Sequence, residues 1–256
     1  MSVLVTGDIH GNPQRFSSDV FPEQKEMSKD DYVIILGDFG LVWDYRGESK
    51  EEKYWLDWLE NKPFTTLFID GNHENYDRLG AYPIEEWNGG NIQRIRSSII
   101  HLMRGQIYTI ENRTFFTFGG ASSHDISAGI LDPYASDFKK KKKHLDKDPL
   151  ALYRINHISW WERELPNNEE MEIGLENLQK KNNKVDYILT HSPCDSLLRQ
   201  MDGGSHIYKS DYFTNYLQRI KDTVNYKFWL FGHMHQNRNF YWENSLCIYE
   251  QIVRIL

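Results

Sequence analysis

Cysteine is scarce: Cys194 and Cys247 are the two in 256 residues, too few for a disulfide framework, which excludes small secreted scaffolds held by covalent staples. Cys194 lies shortly after His191 and reads as a buried structural thiol. No stretch approaches about 20 continuous apolar residues, so no membrane-spanning helix and no membrane partner is expected. No charged leader with an apolar run precedes the first strand, and the expected location is cytoplasmic. An excess of positive charge is missing too. Thirty Lys and Arg against 37 Asp and Glu leave a net charge of −7, which gives no general grip on a polyanion, although a local basic patch remains open. Internal repeats, coiled-coil heptads and Pro- or Ser-rich linkers are also lacking. What remains, 39% apolar and 26% charged residues, describes an ordinary globular chain whose length fits a single domain over 1–256.

Against these absences one pattern recurs. Val3-Leu4-Val5-Thr6 is a short β-branched run that stops at Gly7-Asp8-Ile9-His10. Four further apolar runs end in the same manner. Tyr32–Leu36 leads to Gly37-Asp38, and Thr66–Asp70 to Gly71-Asn72-His73-Glu74. Val185–Thr190 leads to His191, and Lys227–Phe231 to Gly232-His233-Met234-His235. In an α/β sheet the carboxyl ends of the strands open on one crevice, so these loops would gather carboxylates, an amide and imidazoles in one place. Each loop alone is as well explained by a turn, since Gly, Asp and Asn are turn formers. Five together are not. Imidazole suits Mn, Fe, Zn, Ni and Co, and carboxylate oxygen can bridge two ions. The set therefore suits two divalent cations, with Mn the first choice.

The ordered string D-x-H, G-D, G-N-H-E, H, G-H-x-H resembles the calcineurin-like metallophosphoesterase superfamily, from Asp8 to His235. The resemblance implies an α/β fold of two stacked mixed β-sheets flanked by helices, with a dinuclear metal site at strand C-termini. It implies one metal on Asp8, His10, Asp38 and His235, and another on Asp38, Asn72, His191 and His233, with Asp38 bridging. His73 matches a residue beside the leaving group, a general acid or transition-state stabiliser, so His73 and Asp38 are the expected catalytic residues. Asp70 or Glu74 would orient His73. The reaction implied is hydrolysis of a phosphate mono- or diester by in-line attack of a metal-bridging hydroxide.

The phosphoprotein phosphatases of that superfamily carry G-D-x-V-D-R-G, whose Arg grips phosphate. Here the stretch is Gly37-Asp38-Phe39-Gly40-Leu41-Val42-Trp43, without Asp-Arg-Gly. That departure argues against a protein phosphatase and for a small phosphorylated or nucleotide-like substrate. Arg46, Arg78, Arg104 and Arg154 are the candidate replacements, with Arg78 and Arg154 placed among the substrate contacts. His124 and Asp125, in a loop after Thr114–Phe118, would reach the rim of the pocket. Two other readings stay open. A nuclease acting on single-stranded ends would use the lysine run and Trp160-Trp161, against the acidic balance. A non-catalytic scaffold would have lost ligands or His73, whereas all are in place.

Elsewhere, a helix is expected from about Glu48 to Asn61, with Tyr54, Trp55, Trp58 and Leu59 facing the core. Residues 92–118 read as a meander belonging to the second sheet. Residues 127–156, with Lys139–Lys143, read as an insertion, either a lid or a phosphate-attracting patch. Glu169–Lys181 and Asp211–Lys221 read as helices, Ser192–Ser210 as a mobile loop, and 239–249 as a terminal hairpin.

Overall fold

The computed structural model describes residues 1–204 and 208–256. β1 (Val3–Thr6), β2 (Tyr32–Leu36), β3 (Thr65–Ile69), β4 (Ile84–Trp87), β5 (Gly90–Arg96) and β6 (Ile99–Leu102) build the first sheet. The chain then crosses to a second sheet through β7 (Gln106–Ile110) and β8 (Arg113–Phe118). A small parallel pair follows, β9 (Ile130–Leu131) with β10 (Arg154–Ile155). The second sheet is completed by β11 (Tyr187–Thr190), β12 (Phe228–Phe231), β13 (Arg238–Phe240) and β14 (Ser245–Cys247), and β15 (Val253–Arg254) returns to pair with β1. The strand orders are β15-β1-β2-β3-β6-β5-β4 and β13-β14-β12-β11-β8-β7, both mixed.

Alternation explains the layering. Val3, Val5, Ile34, Leu36, Leu67 and Ile69 face Phe115, Tyr187, Leu189 and Leu230 of the second sheet in one buried cluster. The residues between them, Leu4, Val33, Ile35 and Phe68, point the other way, onto Leu56 and Leu59 of α1 (Lys50–Glu60). In the second sheet Phe116, Phe118, Ile188, Trp229 and Phe231 pack against α4 (Asn168–Lys180), α5 (Asp195–Asp202) and α6 (Tyr212–Thr223). Strands apolar on both faces read as continuous hydrophobic runs, which is why the sequence shows them so plainly. The result is the expected four-layered sandwich. The five ligand-bearing strand ends come from two sheets, three from the first and two from the second.

Several expectations need correction. In α1 the core stripe is Leu56 and Leu59, while Tyr54 is exposed and Trp55 and Trp58 half-buried. The meander divides: β6 pairs parallel with β3 in the first sheet, and only β7 and β8 join the second. The supposed loop after His191 holds α5, which buries Leu197, Leu198 and Met201 and stops at Gly203 in left-handed conformation, φ 60°. The Gly203-Gly204 pair marks a helix end, not a loop. The remainder of that expectation, at residues 205–207, lies outside the described residues. Lys139–Lys143 sit on α3 (Phe138–Leu145), a helix that buries none of its residues, where Lys141 and Lys142 pair with Asp137 and Asp146.

Candidate metal centre

The parallel strands deliver their loops to one rim. Asp8 follows β1, Asp38 follows β2 and Asn72 follows β3; from the facing sheet His191 follows β11, and His233 and His235 follow β12. The loops turn so sharply that His10, Asp38, His233 and His235 all take left-handed backbone, with φ between 46° and 63°. Side chains other than Gly, Asn and Asp rarely adopt that region, at a cost on the order of 1–3 kcal/mol each, and such strain concentrates at functional sites. Two glycines make room. Gly37 has φ +91° and a Cβ there would overlap the His191 ring; a Cβ on Gly71 would overlap the Asp38 carboxylate.

Two donor clusters result among the described residues. Asp8, His10, Asp38 and His235 offer ligand atoms all within 4.8 Å of one another, and so do Asp38, His191 and His233. Asp38 belongs to both. His10 Nε2 lies 2.9 Å from His235 Nε2, and His235 Nε2 lies 3.2 Å from Asp8 Oδ2. Donors about 2.1 Å from a common ion stand roughly 3 Å apart at right angles, so these separations match a shared cation. The electrostatics match too. Asp8 Oδ2 is buried and accepts no hydrogen bond, an orphaned charge costly to keep without a cation. Its partner Oδ1 accepts from the His233 amide at 3.0 Å. The residues fit divalent ions.

His191 is wholly buried. Its Nδ1–H donates to the Leu36 carbonyl at 2.7 Å, and Nε2 faces two acceptors, Asp38 Oδ1 at 3.4 Å and Asn72 Oδ1 at 3.3 Å, which hold a proton there that a cation would displace. Burial opposes charge on this ring, yet the Asp38 and Asp8 carboxylates outweigh it and raise His191 to about 9. Asp38 is held below the usual carboxylate range: burial works against this, and His191, His73 and His10 overcome it. Burial pushes His10, His124 and His233 down, whereas the adjacent Asp8 carboxylate draws His235 up.

Asn72 is aimed by a chain of contacts that the sequence does not advertise. Its Nδ2–H donates to Ser123 Oγ at 3.3 Å, and Ser123 gives its hydroxyl and amide protons to the Glu164 carboxylate at 2.6 and 2.8 Å. That fixes the amide with Oδ1 toward the cluster. Burial raises Glu164 to about 7.

His73 stands at the edge. Arg154 Nη2 lies 2.9 Å from its Nε2, and since a guanidinium only donates, Nε2 accepts and the ring proton rests on Nδ1. Burial, with Arg154 and His10 adding, lowers His73 to about 4. Arg154 also pairs with Asp125 at 2.6 Å. Neither expected orienting carboxylate is involved: Asp70 is bonded to Arg104, His101 and Tyr76, and Glu74 accepts from the Phe39 and Gly40 amides. His73 instead stacks on Trp43, centroids 5.6 Å apart.

A cavity of about 470 Å³ opens over the centre, lined among others by His10, Asp38, Asn72, His73, His124, Asp125, Arg154, Tyr208, His233 and His235. His124 and Asp125 thus reach the rim, and His124 Nε2 lies 2.9 Å from His233 Nε2. Arg78 does not line it; its guanidinium is taken by the Glu52 carboxylate and the Asp44 carbonyl. Arg104 is likewise consumed by Asp70 and Glu170.

The family model for calcineurin-like phosphoesterases matches residues 1–237. Lariat debranching enzyme A of Xenopus laevis is 27% identical over 164 residues, 57% of this chain and 29% of that protein, so the chain spans under a third of that relative's length. The phosphopantetheinyl hydrolase structure from Mycobacterium tuberculosis aligns over 100% of this chain and 95% of its own, with 13% identity and a TM-score of 0.42. A putative 5'-nucleotidase structure from Staphylococcus aureus aligns over 97% of this chain and 48% of its own, with 13% identity and a TM-score of 0.43. With its motif blocks converging on one rim and the family match running through nearly all of its length, the chain belongs to the calcineurin-like phosphoesterases, hydrolases of phosphate esters.

Proposed function

We propose that this protein is a dinuclear, metal-dependent phosphoesterase acting on small phosphorylated or nucleotide-like esters. The observation that carries the reading is the Asp38 carboxylate shared by two donor clusters. Asp8, His10, Asp38 and His235 would hold one ion; Asp38, Asn72, His191 and His233 the other. Bound there, two divalent cations supply charge neutralisation at the phosphoryl oxygens and a nucleophile available near neutral pH. Mn²⁺ is the first choice, with Fe, Zn, Ni and Co compatible. The protein's own part is to orient and to donate. Arg154 presents a fixed N–H fork at the cavity wall and replaces the arginine absent after Gly37-Asp38. His73, held by Arg154 and Trp43, directs the Nδ1 proton it carries. His124 and Asp125 shape the rim.

The name of the Xenopus relative concerns lariat debranching, which favours the diester over the monoester as the better substrate. The solvated lysines of α3, of which Lys141 and Lys142 are paired with carboxylates, and the net charge of −7 give no support to a nucleic-acid track. The test is hydrolysis of p-nitrophenyl phosphate and bis-p-nitrophenyl phosphate after chelation and Mn²⁺ addition. Turnover is expected to return with Mn²⁺, to vanish in Asp38→Asn, and to fall about 10²–10³-fold in His73→Ala. Metal-loaded wild type that cleaves neither ester would turn the reading toward a non-catalytic scaffold.

A further inference from the structure

A second cavity, of about 510 Å³, lies beside the metal cavity, and His10 lines both. Its volume falls within the range of small-ligand sites, roughly 300–1,000 Å³. Its wall is the irregular segment between β2 and α1, which carries Trp43, Asp44, Tyr45 and Arg46.

That wall is built rather than loose. The buried Glu52 carboxylate accepts from the amides of Trp43 (2.5 Å), Asp44 (2.9 Å) and Ser49 (2.7 Å). Arg78 ties Glu52 to the Asp44 carbonyl, and Asn75 Nδ2 donates to the Trp43 carbonyl. A segment without strand or helix is thereby fixed by Glu52 of α1, Arg78 of α2 (Tyr76–Leu79) and the residue that caps α2, Asn75. Held out by it, Tyr45 is 53% exposed, a large ring at a cavity mouth with no core to fill. Deeper in, Trp43 joins the cavity to His73 by stacking.

The charges define what can enter. Glu51 and Asp44 line the cavity, and its guanidinium, on Arg46, is already paired with Asp44 at 2.9 Å. With Asp44 and Arg46 neutralising each other, the Glu51 carboxylate is left to repel a second phosphate and to accept from the exocyclic amine of a nucleobase. An aromatic ring beside an acceptor, in a cavity that shares His10 with the metal cavity, is the chemistry of nucleoside binding. We infer that this cavity holds the nucleoside of a nucleotide-like ester, its amino-bearing base stacked on Tyr45 while the phosphate occupies the metal cavity. The inference rests on the phosphoesterase reading for the phosphate and stands on its own geometry for the base.

The experiment is isothermal titration of adenosine, and separately of ribose 5-phosphate, into the full chain supplied with Mn²⁺, for wild type, Tyr45→Ala and Tyr45→Phe. Adenosine is expected to saturate wild type and Tyr45→Phe alike and to bind Tyr45→Ala about tenfold more weakly, the loss of one base–aromatic stack. Equal binding by wild type and Tyr45→Ala, no saturation of wild type at millimolar adenosine, or ribose 5-phosphate binding as well as adenosine would each overturn it. Bis-p-nitrophenyl phosphate turnover, run on the same samples, separates the two ideas. Turnover without adenosine binding removes the nucleoside cavity and leaves the esterase; adenosine binding without turnover does the reverse.

Discussion

The amide of Asn72 has two chemically different ends, and only one of them can face a cation. Ser123 and Glu164 make that choice, from 51 residues along the chain in the first case and a further 41 in the second. Partners that orient a ligand are typically worth 10–100-fold in metal affinity, and Ser123→Ala is expected to weaken Mn²⁺ binding by that factor in a calorimetric titration. Glu164 carries a pH signature as well. Its folded carboxyl titrates at about 7 against an ordinary 4.5, because it is buried. Between those values the folded state keeps a proton that the unfolded chain loses, so this group's contribution to stability declines as pH rises from about 4.5 to 7. The full loss, about 3 kcal/mol, stands above 7. Glu164→Gln removes the titration. Denaturant unfolding of both metal-free proteins is expected to show the variant gaining about 3 kcal/mol on wild type across that interval, and a constant difference would place the carboxyl at its ordinary value. At this scale the sequence displays the clustered donors themselves, because each sits at a strand end and all but His191 stand in a glycine-bearing motif. It hides Ser123, Glu164 and the Arg154–His73 contact, because those bonds join residues with no local signature.

At the scale of elements, strand ends are shaped by what lies against them. Gly37 stands where a Cβ would run into the ring of His191, on the opposite sheet, and its φ is +91°. Gly129 is a natural comparison: φ is +98° and nothing lies within 4 Å of a Cβ. Gly129→Ala should cost about 1 kcal/mol, the conformational penalty alone. Gly37→Ala should cost more than 3 kcal/mol and abolish Mn²⁺ binding, checked by thermal unfolding and titration of the two variants together. Helices were legible in proportion to their signals. α1 begins with a reciprocal cap between Ser49 and Glu52, yet its aromatic residues suggested a core stripe that Leu56 and Leu59 fill, since on the α1 surface Trp55 and Trp58 cover the flank. α5 was hidden by its length of 8 residues and by the glycines that stop it. The hairpin β4–β5 was invisible as far as residue 92, because β4 is an edge strand whose burial alternates between exposed and half-buried.

For the whole molecule, the donors are divided between sheets. Asp8, His10, Asp38 and Asn72 ride on the first, and His191, His233 and His235 on the second. A cation binding this set binds the folded state alone and stabilises it by mass action, about 2.7 kcal/mol at a hundredfold excess over Kd. For a chain of this size that corresponds to a rise in Tm of roughly 5–10 °C on adding Mn²⁺, absent in Asp38→Asn. Among the described residues no helix is long and apolar enough to cross a membrane. The two-sheet architecture was legible through the resemblance, not through hydropathy, since runs apolar on both faces do not reveal which sheet they join.

The packing between the sheets has a meaning beyond cohesion. Leu36, Ile69, Leu189 and Leu230 form the filling on which the two rows of donors rest, so their volume sets the gap across which a cation must reach. Side chains that touch neither ion nor substrate thus act as the spacer of the instrument. Trimming one of them would detune the centre before it unfolded the protein, and the chain would fail first as a metal chelator and only later as a fold.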